Sequence, residues 1–402
     1  MFGRKPFLTD VMTTRVNPLY RAALLLIVLM GFVGVGSVFA ELETTDTVGP
    51  SWERLPDMPI ATAAPAVSVQ GRRAVVSGGV VLGSGASVAV QVLDLDGLTW
   101  SLPTMLNTPR YQHGQITLND GRILIVGGRT RLPAATPQAT RSCELISADL
   151  AASEPTADLP VPMRSPTLHL LNDGRVAAVG MLVTAVFDPE QAAWTIAAPL
   201  RQVRREHASV MLKDGTILVG GGIGRSTFER VDLVEGKSRE LRARLPIGRD
   251  DLAMVPLPDG RVWIIGGQAI DGQTTDQTWL LTLDDEKSGV KSRLEDGPAL
   301  GLAGGVADHV VIQTPNGVVV VGGESQNGRH DTELADAFWL DPERLTVRRL
   351  PATQIAHDDA AGFLDGDWAV VLGGQVKAPF LGVPVPTPIR AVHRIKLPAP
   401  GR

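Results

Sequence analysis

A short apolar run that ends in glycine recurs seven times in this chain of 402 residues, and no other feature constrains the fold as strongly. In six of the seven copies an Asp-Gly or Asn-Gly pair precedes the run. The first glycines at the ends of successive copies lie 41 to 56 residues apart, so the unit is constant while its loops vary. Such self-similarity means that the chain is one repeated supersecondary unit. The copies are Gly71–Gly79, Asp120–Gly128, Asp173–Met181, Asp214–Gly222, Asp259–Gly267, Asn316–Gly323 and Asp365–Gly374.

Each repeat has the pattern of four short antiparallel strands. An Asp-Gly or Asn-Gly pair between apolar runs is a strong β-hairpin signal, because both residues tolerate positive φ. The run after the pair is apolar throughout, which is typical of a strand buried on both faces. A third strand with an acidic residue follows, as in Val92–Leu95, and then a fourth strand often marked by Trp, as in Trp100–Pro103. Four strands at this period predict one blade of a β-propeller.

Counting the strands predicts how the ring of blades closes. Seven hairpins and seven fourth strands can be counted, that of blade 2 being expected at Ala157–Pro160, but the first fourth strand, at Trp52–Leu55, precedes the first hairpin. The last hairpin is followed only by a third strand, at Ala391–Leu397. The N-terminal strand is therefore expected to complete the last blade, which removes the open sheet edges. The predicted fold is an all-β, seven-bladed propeller, with six blades as the alternative if blade 3, where Met181 replaces the second glycine, is degenerate.

The glycine pairs, the acidic third strands and the Trp found 21 residues after Gly79 resemble the repeats of the kelch family. The resemblance extends from Glu41 to the C-terminus and implies a kelch-type β-propeller. The chain departs from the family pattern at Met181 and in its tyrosines, since Tyr20 and Tyr111 are the only two.

The N-terminal residues predict export. Ala22–Phe39 is an apolar stretch of eighteen residues, preceded by Arg15 and Arg21 and ending in Ser37–Ala40. Basic, apolar and small-residue segments in this order indicate a cleaved secretory signal over residues 1–40, with the propeller at 41–402. The alternative is an uncleaved anchor, because eighteen residues just reach the span of a bilayer. The expected location is periplasmic or extracellular, and membrane-anchored if the segment is retained.

The net charge of the chain indicates which classes of binding partner are unfavourable. Residues 1–40 hold four of the 38 basic and one of the 43 acidic residues, so the remaining chain has a formal charge of −8. A mildly acidic surface argues against nucleic acid and anionic lipid as partners. The single cysteine, Cys143, cannot form an internal disulfide and is expected to be a buried small apolar residue.

A binding site is expected at one mouth of the central channel. In a blade, the start of the first strand and the end of the second lie at the same rim, so polar residues at these two places are neighbours there. Such a concave mouth is the default site of a propeller. The predicted binding residues are Arg110, His113, Arg129, Arg204, Arg205, His207, Asp250, Asp251, His309, Glu324, His357, Asp358 and Asp359. The same two sets also contain Glu206, Arg225, Arg249, Gln268, Asp308 and Gln375.

Repetition separates these residues into two kinds. His113, His207 and His309 each lie eight residues before a hairpin glycine, and a residue repeated in register is more readily explained as a structural part of the blade. Residues that break the repeat are better binding candidates, because function distinguishes blades that are otherwise equivalent. These residues are Arg204, Arg205, Asp250, Asp251, Asp358 and Asp359.

Known propeller chemistries provide two comparisons. Copper radical oxidases that resemble galactose oxidase need a tyrosine cross-linked to cysteine and a second tyrosine ligand, and a chain with only Tyr111 after residue 40 cannot supply them. The second comparison is with exported kelch proteins that resemble sialic acid epimerases. In this chain, that resemblance implies that Arg110 or Arg205 would hold the carboxylate of a sugar and that His207 or Glu206 would act as the acid/base.

The favoured hypothesis is an exported, monomeric module that binds a protein or an envelope glycan at one loop face. It requires no cofactor, and neither metal-ligand spacing nor a phosphate-binding loop is found in the sequence. The alternative is a sugar-active enzyme resembling the epimerases. Catalytic residues are assigned to neither hypothesis.

Overall fold

The computed structural model describes residues 50–130, 136–283, 292–327, 330–380 and 383–397. All regular secondary structure in these ranges is β-strand, and the strands form seven small antiparallel sheets arranged as a seven-bladed β-propeller. The seven-bladed prediction is confirmed. No helix within the described ranges could span a membrane. The predicted signal segment over residues 1–40 lies outside the described residues, so export remains a prediction.

Each blade has four strands, and in blades 1 to 6 they run in chain order from the channel outwards. In blades 1 to 4 they are Ala66–Gln70, Arg73–Ser77, Gly85–Asp94 and Thr99–Ser101; Gly114–Thr117, Ile123–Val126, Cys143–Ile146 and Ser153–Thr156; Thr167–Leu170, Val176–Val179, Val183–Asp188 and Ala193–Pro199; and His207–Met211, Ile217–Gly221, Thr227–Asp232 and Lys237–Arg244.

The remaining blades follow the same order. Blade 5 consists of Ala253–Pro256, Val262–Ile265, Thr278–Leu283 and Ser292–Asp296, blade 6 of Val310–Thr314, Gly317–Val321, Ala337–Asp341 and Thr346–Leu350, and blade 7 of Ala361–Asp365, Trp368–Leu372, Val392–Lys396 and Trp52–Arg54. Short rim strands lie between or beside these elements, at Val80–Val81, Met105–Arg110, Arg129–Thr130, Gln138–Ala139, Arg249–Asp250, Gln268–Ala269, Glu324–Asn327, His330–Glu333, Gln375–Phe380 and Val383–Pro388.

The N-terminal strand closes the ring as predicted. Trp52–Arg54 pairs antiparallel with Val392–Lys396, with Trp52 opposite Ile395. The Trp52 indole Nε1 also donates a hydrogen bond of 2.7 Å to the carbonyl oxygen of Pro351 in blade 6. The two ends of the described chain therefore share one sheet.

The second strands are apolar on both faces because each lies between two interblade cores. Ile123 and Ile125 pack with side chains of blade 1, whereas Leu124 and Val126 pack with side chains of blade 3. Seven such clusters occupy the seven interblade spaces. Each fully buried aliphatic side chain contributes about 1.5–3 kcal/mol. Interblade packing is thus the main stabilising force of the ring.

The glycine pairs allow neighbouring blades to approach closely. Gly78 of blade 1 has φ +61°, and a Cβ atom added there would lie 2.6 Å from His113 Cε1 and closer still to the Arg110 carbonyl oxygen, both in blade 2. Glycine alone fits such a position.

One strand position was predicted wrongly. The fourth strand of blade 2 was expected at Ala157–Pro160, but Ser153–Thr156 pairs with Cys143–Ile146. Leu159 instead turns into the core between blades 2 and 3, and its N–H donates to the Arg141 carbonyl oxygen at 2.8 Å. Asp284–Glu286, which the sequence indicates is a solvated turn rather than a calcium loop, lies outside the described residues.

Candidate functional site

Backbone pairing brings the two predicted residue sets to one rim of the propeller. In five of the seven blades the segment before the first strand forms a β-bridge with the segment after the second glycine. The bridges are Ala63 with Val80, Tyr111 with Arg129, Asp250 with Gln268, Ala307 with Glu324, and Asp358 with Gln375. This rim is called the channel mouth below.

One residue of each blade adopts a left-handed backbone conformation at the channel wall. The φ values of these seven ring residues lie between +47° and +53°, a region that residues other than glycine rarely adopt. The ring residues are Ala64, Gln112, Ser165, Glu206, Asp251, Asp308 and Asp359.

Hydrogen bonds connect the ring residues of adjacent blades. In five of the seven steps the N–H of a ring residue donates to the carbonyl oxygen of the ring residue in the preceding blade. The donors and N···O distances are Ala64 (2.7 Å), Gln112 (3.3 Å), Ser165 (2.9 Å), Asp251 (3.2 Å) and Asp308 (3.4 Å). The backbone of the ring is therefore a near-regular repeat, and only the side chains differ from blade to blade.

The ring residues line a central cavity of about 340 Å³. Four consecutive blades, 4 to 7, place a carboxyl group there: Glu206, Asp251, Asp308 and Asp359. The other three blades place Ala64, Gln112 and Ser165. The repeated backbone does not require carboxyl groups, so their one-sided distribution is a feature of the site.

Burial and mutual repulsion raise the pKa of three of these four carboxyl groups. Burial raises the pKa of Asp251 and of Asp308 well above the ordinary value, and neighbouring carboxylates raise both further. Burial, together with the charge on Asp358, raises the pKa of Asp359 to about 7. The fourth carboxyl group, that of Glu206, forms an ion pair with Arg164.

A second tier of carboxyl groups lies on the rim above the ring. Burial raises the pKa of Glu324 to about 8, with the Asp358 carboxylate adding to the effect. Burial also raises the pKa of Asp250 and Asp358. Gln375 Nε2 donates to Asp358 Oδ2 and to Asp359 Oδ2, each at 3.0 Å, and so connects the two tiers.

The other side of the mouth is basic. The Arg129 guanidinium lies 5.3 Å from the centroid of the Tyr111 ring. Arg225 is exposed, and its Nε donates to the Val203 carbonyl oxygen at 3.2 Å. Arg205 is exposed on the same rim, where Ile223 N–H donates to its carbonyl oxygen at 2.9 Å.

Two of the predicted arginines lie inside blades rather than in the mouth. Arg110 is fully buried and forms a 2.7 Å ion pair with Glu144, while its Nη1 donates to the Gly127 carbonyl oxygen at 2.7 Å. Arg204 repeats the arrangement with Glu229 at 3.0 Å and Gly221 at 2.8 Å. Both guanidinium groups are occupied in holding the inner strands to the third strand of the same blade.

The histidines lie between blades. His113 Cε1 packs against Gly78 of blade 1, and His113 Nε2 lies 2.8 Å from Ser77 Oγ. Burial lowers the pKa of His113 to about 3 and that of His207 and His309 to about 4. All three line the cavity wall as uncharged rings at neutral pH. His357 is fully buried and its Nδ1 donates to the Gly373 carbonyl oxygen at 2.8 Å.

The predicted residues therefore occupy three layers. The cavity brings together His113, His207, Asp251, His309 and Asp359, the rim holds Arg129, Arg205, Asp250, Glu324 and Asp358, and the blade interiors contain Arg110, Arg204 and His357.

The predicted binding set omitted five of the seven ring residues, namely Ala64, Gln112, Ser165, Glu206 and Asp308. A signal was present, since every ring residue lies 14 or 15 residues before the first glycine of its pair.

Metal binding has no support in the described part of the chain. No three His, Cys, Asp or Glu side chains there converge closely enough to hold one metal ion.

The fold is a seven-bladed propeller, and its candidate site is a central channel that is acidic on one side. The chain is similar to a fungal alcohol oxidase of the AA5 family in complex with copper, with a TM-score of 0.63 and 14% identity over 87% of this chain and 76% of that one. It is also similar to YjhT, with a TM-score of 0.50 and 13% identity over 83% and 95% of the two chains. At these identities the likeness shows the fold alone. No protein-family model and no curated protein matches the chain.

Proposed function

We propose that the protein is an exported, kelch-type propeller that acts as a binding module, and that it binds a protein partner at the channel mouth. The observation that carries the proposal is the unequal occupation of the ring. Seven positions share one backbone conformation, yet four adjacent ones hold carboxyl groups. Buried like charges oppose folding, so their presence at equivalent positions is best explained by a ligand that they bind.

Exposed apolar side chains on the same rim support a protein partner over a glycan. Several large aliphatic residues that are more than a third exposed lie in segments that precede a first strand or follow a second glycine, where they would lose contact with water in a complex. They include Leu82, Met105, Leu182, Val203, Ile247 and Ile270.

The distribution of charge around the mouth would also determine the orientation of a bound partner. Carboxyl groups face the mouth from blades 5 to 7, whereas Arg129, Arg205 and Arg225 lie on blades 2 and 4. A partner with the complementary pattern would bind in one orientation only, because the reverse orientation places like charges together.

A sugar-active enzyme is less well supported. The hypothesis needs an arginine to hold the carboxylate of an acidic sugar. Arg110 already directs its guanidinium to Glu144 and to backbone oxygens inside blade 2, so of the two arginines named for this role only Arg205, exposed on the rim, is left. An acidic sugar in the cavity would also lie beside Asp251, Asp308 and Asp359, which repel it when they are ionised.

The copper chemistry of the oxidase neighbour is not proposed for this chain. Cys143 is a buried thiol in the third strand of blade 2, and Tyr111 lies on the rim beneath Arg129. The two side chains that such a cofactor would cross-link are therefore in different layers of the structure.

Site-specific photo-cross-linking in the producing cell tests the proposal. A photoreactive residue at Ile270, which is 78% exposed on the mouth rim, should yield one discrete cross-linked protein. The matched control is Val234, which is 98% exposed in a turn at the opposite rim. Equal products from both positions, or no product from Ile270, would contradict a partner at the mouth.

A further inference from the structure

The acidic side of the mouth contains more carboxyl groups than the protein itself neutralises. Six of them, defined here as the acidic half, come from blades 5 to 7. None forms an ion pair with a basic residue in the described ranges. The acidic half consists of Asp250, Asp251, Asp308, Glu324, Asp358 and Asp359.

The charged and polar groups that face the acidic half have other partners or no charge. Arg164 binds Glu206, and Lys377 lies 2.6 Å from Asp331 and 3.3 Å from Glu333. The neutral amides of Gln268 and Gln375 donate hydrogen bonds to Glu324, Asp358 and Asp359. The Asp331 carboxyl group is also hydrogen-bonded to Glu324 and raises its pKa, whereas the charge of Lys377 lowers it.

Two oxygen atoms in the acidic half are buried without a hydrogen bond. Asp250 is 8% exposed and Asp358 is 5% exposed, and Oδ1 of each has no partner in the described part of the chain. The Asp358 carboxyl group faces its neighbours, since its charge acts on Glu324, Asp308 and Asp359. Buried acceptors of this kind are normally satisfied, so these two indicate a hydrogen-bond donor that arrives from outside.

The required donor is positively charged and carries several N–H groups. A metal ion does not fit, because no three of these groups converge on one point within the described ranges. An ammonium offers three donors and a guanidinium five, which can reach acceptors spread over two tiers. The cavity of about 340 Å³ admits one long side chain. Bonds from such a cation to carboxylates are the strong, charge-assisted kind.

We infer that the acidic half binds a single lysine or arginine side chain that the protein partner inserts into the channel, an inference that rests on the proposed binding function. The exposed aliphatic residues on the rim would then contact the surface around that side chain.

The binding must depend on pH. A carboxyl group attracts a cation only when it is ionised, and the pKa is about 7 at Asp359 and about 8 at Glu324. Affinity should therefore rise from pH 6 to pH 9, the interval in which these two groups lose their protons.

Ligand-observed NMR with three short peptides tests the inference on the full chain at pH 8.5. The probes are acetyl-Ala-Lys-Ala-amide, its arginine analogue, and a norleucine analogue that keeps the four-carbon chain of lysine without its ammonium group. The lysine or arginine peptide should bind at least about tenfold more tightly than the norleucine peptide. Equal affinity of all three would overturn the inference.

Two variants locate the binding. Asp308→Asn and Glu324→Gln should each weaken the lysine peptide several-fold, whereas Asp158→Asn, at an exposed residue of blade 2, should not. Folding of each variant is checked by its unfolding midpoint. Undiminished binding by both acidic-half variants would overturn the assignment.

The remaining outcomes separate the two proposals. Binding of spermidine but of neither basic peptide would show a free amine as the ligand and would overturn a protein side chain. Loss of lysine-peptide binding on addition of millimolar calcium chloride, but not of equal ionic strength as sodium chloride, would show a metal site instead. If no peptide binds while Ile270 still cross-links, the inference fails and the proposed function stands. If both fail, the mouth is not the site.

Discussion

Replacing Asp359 by asparagine should stabilise the protein, and the gain should depend on pH. Asp359 lies on the channel wall, where burial and the charge of Asp358 raise its pKa to about 7. Asparagine keeps an oxygen that can accept the bond from Gln375 Nε2, so the variant removes the charge and preserves the shape.

The magnitude follows from the difference between the folded and unfolded pKa. The folded value of about 7 exceeds the ordinary 3.8 by about three units. At 1.36 kcal/mol per unit, ionising Asp359 costs the folded state about 4 kcal/mol above pH 7. Because the neighbouring carboxyl groups share this repulsion, a single substitution should recover about 1–3 kcal/mol.

The direction in which stability changes with pH follows from thermodynamic linkage. A group whose pKa is raised on folding contributes stability that is fully present below its unfolded pKa and is lost as pH rises through its folded pKa. The wild-type protein should therefore lose stability between about pH 4 and pH 8 through Asp359. The advantage of Asp359→Asn should be largest at pH 8 and small at pH 4.5.

Urea unfolding at several pH values measures the effect, with Asp158→Asn as the control. Asp158 is exposed on blade 2, so its substitution should change the free energy of unfolding by less than about 0.5 kcal/mol at every pH. The reasoning is refuted if Asp359→Asn is no more stable than wild type at pH 8, or if its advantage is the same at pH 4.5.

Two further substitutions and one chemical modification test the packing within and between the blades that form the mouth. Arg204→Ala leaves Glu229 buried without a counterion and should cost about 3–5 kcal/mol in urea unfolding, whereas the exposed neighbour Arg205→Ala should cost less than about 0.5; equal losses would contradict the buried ion pair. The Cys143 thiol, buried and with its pKa raised to about 11, should react with a thiol reagent at pH 8 only after unfolding, and rapid labelling of the folded protein would show that it is accessible. Trp52→Ala removes the indole that bonds blade 6 and should lower the free energy of unfolding by about 3–5 kcal/mol, so a change below about 1 kcal/mol would argue against closure by the N-terminal strand.

The fold could be predicted because the repeat imposes it. Each glycine pair marks where two blades meet, and the unpaired fourth strand at Trp52 leaves the last blade as its only partner. The misplaced strand of blade 2 shows the limit of this reasoning. Leu159 is apolar, and the local pattern predicts a strand that includes it. The strand ends at Thr156, however, and the Leu159 side chain packs in the interblade core. The local sequence pattern does not distinguish a leucine within a strand from a leucine that packs in the core after a strand.

The site was predicted only to within a few residues, and the segment 204–207 shows why. Arg204 is buried in its blade, Arg205 is exposed on the rim, Glu206 lines the channel and His207 lies between blades. The positive φ of Glu206 interrupts the alternation of a strand and so redirects its neighbours. Sequence gives little sign of a left-handed backbone at a residue other than glycine, so the predicted set mixed all these environments.

The number of protons released on cation binding tests the central claim most directly. Titration calorimetry of acetyl-Ala-Lys-Ala-amide into the protein at pH 7, in phosphate and in Tris, gives this number from the difference in heat. A cation bound among carboxyl groups with pKa values of about 7 and 8 must displace protons from them, on the order of one per peptide. A cation bound among ordinary surface carboxylates displaces none at this pH, because those groups are already ionised. Equal heats in the two buffers would contradict a cation site in the acidic half.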